Sequence, residues 1–597
     1  MQEKGSRWSG GFFNAAQGIW TGQFRWPLLS IIVGVIAGCG AILFEESLRW
    51  ALHFFLHLPT GFMEPGRGSS EELVASLASL RSWLFLLIPT LGGLVSGFIV
   101  FSVAPEAEGH GTDAMIDAFH RRGGYIRKRV PFVKIMASAI TIGSGGSAGK
   151  EGPIAQIGAG FGSFLASALK LKPRDRRILV LAGASGGIGA IFHAPLGAAL
   201  FAPEVLYRAA EFEFEAILPC IVSAIVASSL FDAYYGRQAL FLPGFLDFHV
   251  AELLAYSLFG VCCAGVGYIY IKVFYGSRDY FFKRLPLPKM VRPAVGGFLL
   301  GVLALLCPQI MDGGYGWIQA AMEGKIFWGT MLLLVFMKIL ATSCTISSGG
   351  SGGVFGPSVF MGAMLGGAFG FGGHTLAPEW IMNPAAFVVV GIGGFFAGVA
   401  RTPISSIIMA CEMCGNYALL VPLMLVSAIS FILLGKNSLY EKQVVTRLGS
   451  PAHKGHFARG VLAGLQVADA ISRRPVTLIP ENLPFRDLIT LVTASKDYHF
   501  PVVNGAGSMT GIISINDIRE MLLEENLDSL IVAKDVSTPN VVRVFLHESL
   551  QEALDKMALI NVDELPVVSR EEPDKIITLI SKRDILGHYY EQMGAVA

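Results

Sequence analysis

A stretch of thirteen residues that occurs twice constrains this chain most. Residues 141–153 read TIGSGGSAGKEGP and residues 345–357 read TISSGGSGGVFGP, so nine of thirteen positions agree at an offset of 204. The first copy holds five glycines, Gly143, Gly145, Gly146, Gly149 and Gly152, and each one inside a helix costs roughly 1 kcal/mol relative to alanine. Within a membrane such backbone is tolerated only where it lines a cavity or is buried in protein. Pro153 and Pro357 suit the first turn of a helix. Each copy therefore predicts a loop feeding a helix N-terminus, with Lys150 and Glu151 there in one copy and Val354 and Phe355 in the other. A second ordered match follows: Gly187, Ile188, Gly189 and Pro195 recur as Gly391, Ile392, Gly393 and Pro403. Glu204 and Glu412 each stand nine residues beyond their proline. Paired segments interrupted by glycine and proline in corresponding halves point to a transporter-type site near the middle of a bilayer.

Composition supports a membrane setting. Of 597 residues, 53% are hydrophobic and only 15% charged, with 71 glycines, far from soluble averages. A net charge of +1 argues against a nucleic-acid partner. The eight cysteines lie almost entirely in apolar runs, which does not suit a secreted disulfide framework. Cys411 and Cys414 form a CxxC without a second pair, so packing is the expected role.

In chain order, residues 1–26 lack the pattern of a signal peptide and suggest an interfacial segment with Trp20 and Trp26 near the headgroups. Clear spans are predicted at 27–44 and 83–103. The basic connection after Ala118 (Arg121, Arg122, Arg127, Lys128 and Arg129) suits a cytoplasmic loop. Apolar segments resume from about 131 to 435, several shorter than the ~20 residues of a full crossing, and so tilted, re-entrant or half-spanning. From about 465 strand-like runs alternate with helices. FPVV at 500–503 and GIIS at 511–514 recur as LPVV at 565–568 and ITLIS at 577–581. Each copy ends in Ser-x-x-Asp, at Ser514–Asp517 and Ser581–Asp584, marking a soluble α/β module of two tandem repeats.

GKEGP at 149–153, GGVFGP at 352–357 and SLYEKQ at 438–443, in this order and spacing, resemble the CLC family of chloride channels and chloride/proton exchangers. The tail resembles a pair of CBS domains. The resemblance implies a multi-pass α-helical membrane protein built as an inverted repeat of broken, tilted helices, plus a soluble tandem CBS module. The expected parts are an N-terminal segment 1–26, a transport domain 27–445, a linker 446–464, and CBS domains at 465–525 and 533–592. It also implies a homodimer with one pore per subunit, in a bacterial inner or plasma membrane, with the N-terminus and CBS tail cytoplasmic. It places the gating glutamate on Glu151, the pore-lining phenylalanine on Phe355 and the anion-coordinating tyrosine on Tyr440. Where the family carries a coordinating serine in GSGIP, this chain has Gly109, His110, Gly111, Thr112 and Asp113. The exchangers' internal proton-transfer glutamate falls on Val205, an apolar residue as in channel members, which leaves Glu204 as a candidate for a proton path.

An anion in a bilayer needs several weak donors rather than one trapping charge. Helix N-termini and glycine-rich loops supply them, and conduction demands binding weak enough to release. The candidate anion-binding set is thus Gly109, His110, Gly111, Lys150, Gly152, Val354, Phe355 and Tyr440. Glu151 is itself an anion and can occupy the berth chloride would use, leaving when protonated. His110 offers a donor that gains charge near neutral pH. In the tail, Tyr498, Asp517 and Asp584 are candidates for an adenine nucleotide, set against a CBS pair that serves only as a dimer contact. No cofactor is otherwise required, no metal site is expected, and no enzymatic activity. Val205 favours a glutamate-gated chloride channel, with a chloride/proton antiporter as the alternative. A CBS-bearing divalent-cation transporter would need acids gathered in the spans, and here they are dispersed.

Overall fold

In this computed structural model residues 25–596 are described, except 64, 66–82, 238, 243, 245–246, 472–474, 496 and 522–530. The expected interfacial segment lies outside them apart from Arg25 and Trp26. The chain divides into two compact units, Met1–Ala452 and His453–Ala597.

The first unit is helical. Its first half runs α1 Arg25–Ala51, α2 Leu84–Val103, α3 Thr112–Arg121, α4 Val130–Gly143, α5 Glu151–Ala168, α6 Pro173–Phe192, α7 Pro195–Glu204 and α8 Phe214–Tyr235. The second half repeats that order as α9 Leu253–Gly276, α10 Arg292–Leu306, α11 Tyr315–Met322, α12 Trp328–Ser347, α13 Phe355–Leu376, α14 Pro384–Ala400, α15 Pro403–Cys414 and α16 Leu420–Leu434. Among the described residues, six stretches are long and apolar enough to cross a membrane, among them Arg25–Thr60, Phe214–Tyr235 and Val250–Arg284, and shorter apolar helices such as Pro403–Cys414 accompany them. Cys411 and Cys414 are buried in α15 and unpaired.

The first span is longer than the predicted 27–44. Helix α1 continues through a π-helical turn, Leu52–His57, to Thr60. Glu45 and Glu46 do not end it because both are paired. Lys150 bridges to Glu45 at 2.9 Å, and the Tyr235 hydroxyl donates to Glu46 at 2.8 Å.

The repeat extends to backbone detail that the letters hide. Gly111 and Gly314, the N-caps of α3 and α11, both have φ of +82°, a region that suits glycine. Helices α5 and α6 approach so closely at Gly158 and Gly183 that a Cβ on either would collide with the other's carbonyl, and Gly362 and Gly391 do the same for α13 and α14. Small residues of this kind let membrane helices pack backbone to backbone.

The second unit holds two three-stranded sheets. β1 (Ile479–Pro480) pairs parallel with β2 (His499–Val503), which pairs antiparallel with β3 (Met509–Ser514). β4 (Val544–Phe545), β5 (Glu564–Val568) and β6 (Ile576–Ser581) repeat this, even to a register shift at Val502/Val503 and Val567/Val568. Each sheet covers its own apolar cluster, centred on Phe500 and Val502 in one and Leu565 and Val567 in the other.

Candidate functional site

The two glycine-rich copies meet. The Gly149 amide donates to the Gly353 carbonyl at 2.8 Å and the Gly353 amide returns a bond to the Gly149 carbonyl at 2.6 Å. A third loop joins them, with the Gly352 amide donating to the Gly109 carbonyl at 3.3 Å. Only glycine allows this approach: a Cβ on Gly353 would stand 2.7 Å from the Gly149 carbonyl oxygen and 2.8 Å from the Gly152 nitrogen. The junction brings the N-termini of α5 and α13 side by side, with Glu151 and Phe355 each as the first helical residue.

Glu151 is 3% exposed. Its Oε2 accepts from the Gly356 amide at 3.1 Å, while Oε1 has no hydrogen-bond partner among the described residues. Lys150 does not neutralise it by a direct bond, since the ammonium is turned to Glu45. Val354 is buried at the matching N-cap of α13. Phe355 sits in an aromatic cluster, 4.2 Å from Phe396 and 4.7 Å from Phe192 between ring centroids. Gly152 abuts the His110 carbonyl, where a Cβ would collide.

The 109–113 loop forms the other wall. His110 Nε2 lies 3.3 Å from Asp113 Oδ2, and its ring centroid is 5.4 Å from that of Tyr440. Its Nδ1 is buried without a hydrogen-bond partner among the described residues. Tyr440 is 1% exposed. The SLYEKQ segment holds Tyr440 in place through its polar ends. Ser438 Oγ donates to Gln443 Oε1 at 2.6 Å and accepts from the Tyr440 amide at 3.0 Å. The Gln443 amide group donates to the carbonyls of Val205 and Ala400.

Two buried lysines escaped the sequence reading. Lys134 Nζ donates to the carbonyls of Ala107 (3.0 Å) and Gly109 (2.7 Å), and Lys338 Nζ to those of Ile310 (3.0 Å) and Asp312 (2.7 Å). They stand 204 residues apart, the spacing of the repeat. A lone lysine recurring at that offset within an apolar run was the available signal. Lys134 puts a buried amino group directly behind the Gly109 loop.

A cavity of about 780 Å³ reaches His110 from the side of the basic connection, since Arg122 and Arg127 line its wall. Five acidic and five basic side chains line it, so the approach itself is close to neutral.

Glu204 and Glu412 have reciprocal places. Glu204 accepts from the amides of Ile404 (3.0 Å) and Ser405 (2.8 Å) and from the Ser405 hydroxyl (2.5 Å), capping α15. Glu412 accepts from the amides of Leu196 (3.2 Å) and Gly197 (2.7 Å), capping α7. Both oxygens of each carboxylate are engaged with a helix N-terminus. Val205 beside Glu204 is fully buried.

In the second unit, Asp517 accepts from the amide and hydroxyl of Ser514 at 2.7 and 2.8 Å, and Asp584 from those of Ser581 at 3.0 and 2.6 Å. Both acids thus act in capping boxes. Tyr498 is 67% exposed, and the two repeats are linked by His499 Nδ1 and Glu564 Oε2 at 3.1 Å.

The family model for voltage gated chloride channels matches residues 92–435, and the CBS domain model matches 467–524 and 533–591. The putative chloride channel protein ClcB-like of Ralstonia nicotianae is 31% identical over 409 residues, 67% of this chain and 92% of that protein. The H(+)/Cl(-) exchange transporter ClcA of Vibrio campbellii is 30% identical over 429 residues, 70% of this chain and 89% of that one. Among solved structures, a slow cyanobacterial Cl-/H+ antiporter superposes with a TM-score of 0.61 at 22% identity, covering 73% of this chain and all but a fringe (98%) of its own. A eukaryotic CLC transporter superposes with a TM-score of 0.57 at 19% identity, covering 94% of this chain and 98% of that one. These two share the fold. Stitched glycine loops, paired helix N-termini, the breadth of the family match and two CBS repeats lead to one assignment: the chain belongs to the CLC family of membrane anion transporters and carries two C-terminal CBS domains.

Proposed function

We propose that this protein is a proton-coupled chloride exchanger gated by Glu151. The observation that carries the reading is a carboxylate buried at the junction of three glycine-rich loops, accepting a backbone amide from the opposite half of the repeat. An anion in that junction meets amides of two helix N-termini, with Gly109, Gly111, Gly152 and Val354 supplying backbone and His110 and Tyr440 supplying side-chain donors. Phe355 narrows the route, and Lys150 acts through Glu45 at its rim. Glu151 competes with chloride for the berth and leaves it on taking a proton.

The relatives named as H+/Cl− exchange transporters support exchange over the channel that Val205 suggests. The channel is the second reading, and it draws on the buried apolar Val205 and on Glu204 being committed to a helix cap. The chain acts as a homodimer in a bacterial plasma membrane, with the basic connection, N-terminus and CBS tail cytoplasmic. The CBS pair takes an adenine nucleotide near Tyr498, Asp517 and Asp584.

Purified protein in liposomes with a pH-sensitive dye tests the proposal. A chloride gradient should drive protons uphill in the opposite direction, and Glu151→Ala should pass chloride without protons. Chloride flux without any proton movement in the wild-type protein would establish the channel instead.

A further inference from the structure

We infer that His110, with Asp113, is the proton relay on the cavity side of this transporter, in the role for which Val205 offers no acid. The inference rests on the exchange reading above. His110 lines the cavity and has its Nδ1 enclosed on the junction side. Its Nε2 faces Asp113, whose side chain is 20% exposed within the cavity, while its own side chain is 9% exposed. Its Nδ1 is enclosed and unpartnered among the described residues. Glu151 Oε1, behind the adjoining Gly152, is likewise enclosed and unpartnered among them. A buried donor-capable nitrogen and a buried acceptor oxygen, both unsatisfied across one junction of loops, call for a function. Imidazole is the side chain that exchanges protons near neutrality.

Glu204 and Val205 offer no free acid on that side. Glu204 holds three donors at the start of α15, and Val205 next to it carries no proton. Charged and polar groups surround His110 on both sides. Asp113 faces Nε2 and also accepts from the Lys442 amide at 3.0 Å. Tyr440 packs against the ring, and the Lys134 ammonium is held on the Gly109 carbonyl behind it. Glu108, Glu441 and Arg278 line the cavity approach.

The proton balance is simple. A solvent proton first neutralises the Asp113 carboxylate and then passes to Nε2 of a ring that carries its hydrogen on Nδ1. The imidazolium releases the Nδ1 proton to the Glu151 carboxylate, leaving a neutral ring with hydrogen on Nε2. The ring then turns toward the cavity, where Nε2 gives its proton to water and Nδ1 takes one from water, and turns back in the starting tautomer. Glu151, now neutral, quits the anion berth.

The test is the ratio of protons to chloride carried by the full-length protein in liposomes loaded with chloride and a pH dye. His110→Gln and His110→Ser replace the ring with groups that do not titrate, and Val205→Glu added to His110→Ser supplies an acid. Whatever the absolute chloride rate, the ratio in both single variants should fall by more than about tenfold, well within the roughly 10²–10⁴-fold scale of a lost acid–base group, and Val205→Glu should restore it. A smaller fall in either variant overturns the relay. Wild-type protein that carries chloride but no protons refutes the exchange reading itself, and that result is read without any variant.

Discussion

Replacing Glu204 with glutamine distinguishes a helix cap from a proton carrier. The carboxylate receives the Ile404 amide on one oxygen and both donors of Ser405 on the other, at 3.0, 2.8 and 2.5 Å. Glutamine turns one acceptor into a donor, which then faces N–H or O–H groups in a fully buried setting. Each hydrogen bond to a charged group is worth about 1.5–3 kcal/mol, and losing the negative charge at a helix N-terminus removes about 0.3–1 kcal/mol more. With one oxygen retained, Glu204→Gln should destabilise the protein by about 2–4 kcal/mol. Unfolding in mixed micelles, followed by tryptophan fluorescence, measures this, and the proton-to-chloride ratio is taken on the same preparation. The cap reading requires lost stability with proton coupling retained. A variant within about 0.5 kcal/mol of wild type that had stopped moving protons would refute it and make Glu204 the carrier.

Gly353→Ala should abolish chloride flux and cost about 2–6 kcal/mol, because a Cβ between the Gly149 oxygen and Gly152 nitrogen breaks two reciprocal bonds; flux and micelle unfolding check both. Lys134→Met frees the Gly109 carbonyl beside the anion berth, whereas Lys338→Met frees the equivalent loop that carries no histidine. Chloride flux at matched protein should fall by at least about tenfold in the first and much less in the second. Asp584→Ala should cost about 1 kcal/mol as a lost capping box, seen as a lower melting midpoint of the full chain. If the acid also contacts a nucleotide, ATP raises the wild-type midpoint and not that of the variant.

Glu151, Phe355 and Tyr440 were legible because each sits in a run of residues too particular in order and spacing to arise from apolar packing alone. The repeat of 141–153 at 345–357 was legible for a related reason: nothing but close backbone approach asks for so many glycines. Other parts of the site were written in atoms that every residue has. Lys134 and Lys338 bind carbonyls, so their partners leave no trace in side-chain identity. Ser438 and Gln443 looked like flanks of Tyr440, yet they form the clasp that ties it to Val205 and Ala400. The end of α1 was misplaced because two adjacent glutamates look like an exit from the membrane, and their partners Lys150 and Tyr235 lie far away in sequence.

The internal repeat itself separates scaffold from site. Wherever the two halves keep the same chemistry, the pair is structural. Lys134 and Lys338 pin matching loops, Gly111 and Gly314 share one φ, and Glu204 and Glu412 cap each other's helices. Those pairs make the same kind of contact with the backbone in both halves. At the site the halves differ at Lys150 against Val354, Glu151 against Phe355, and His110 against Gly313, which precedes the equivalent cap. All of these face one junction. An ion that passes between two equivalent half-sites gains no direction from them, so a titratable gate and a titratable relay belong on one half only. On the proposed reading, the differences at this junction fall on the gate, Glu151, and on the relay, His110.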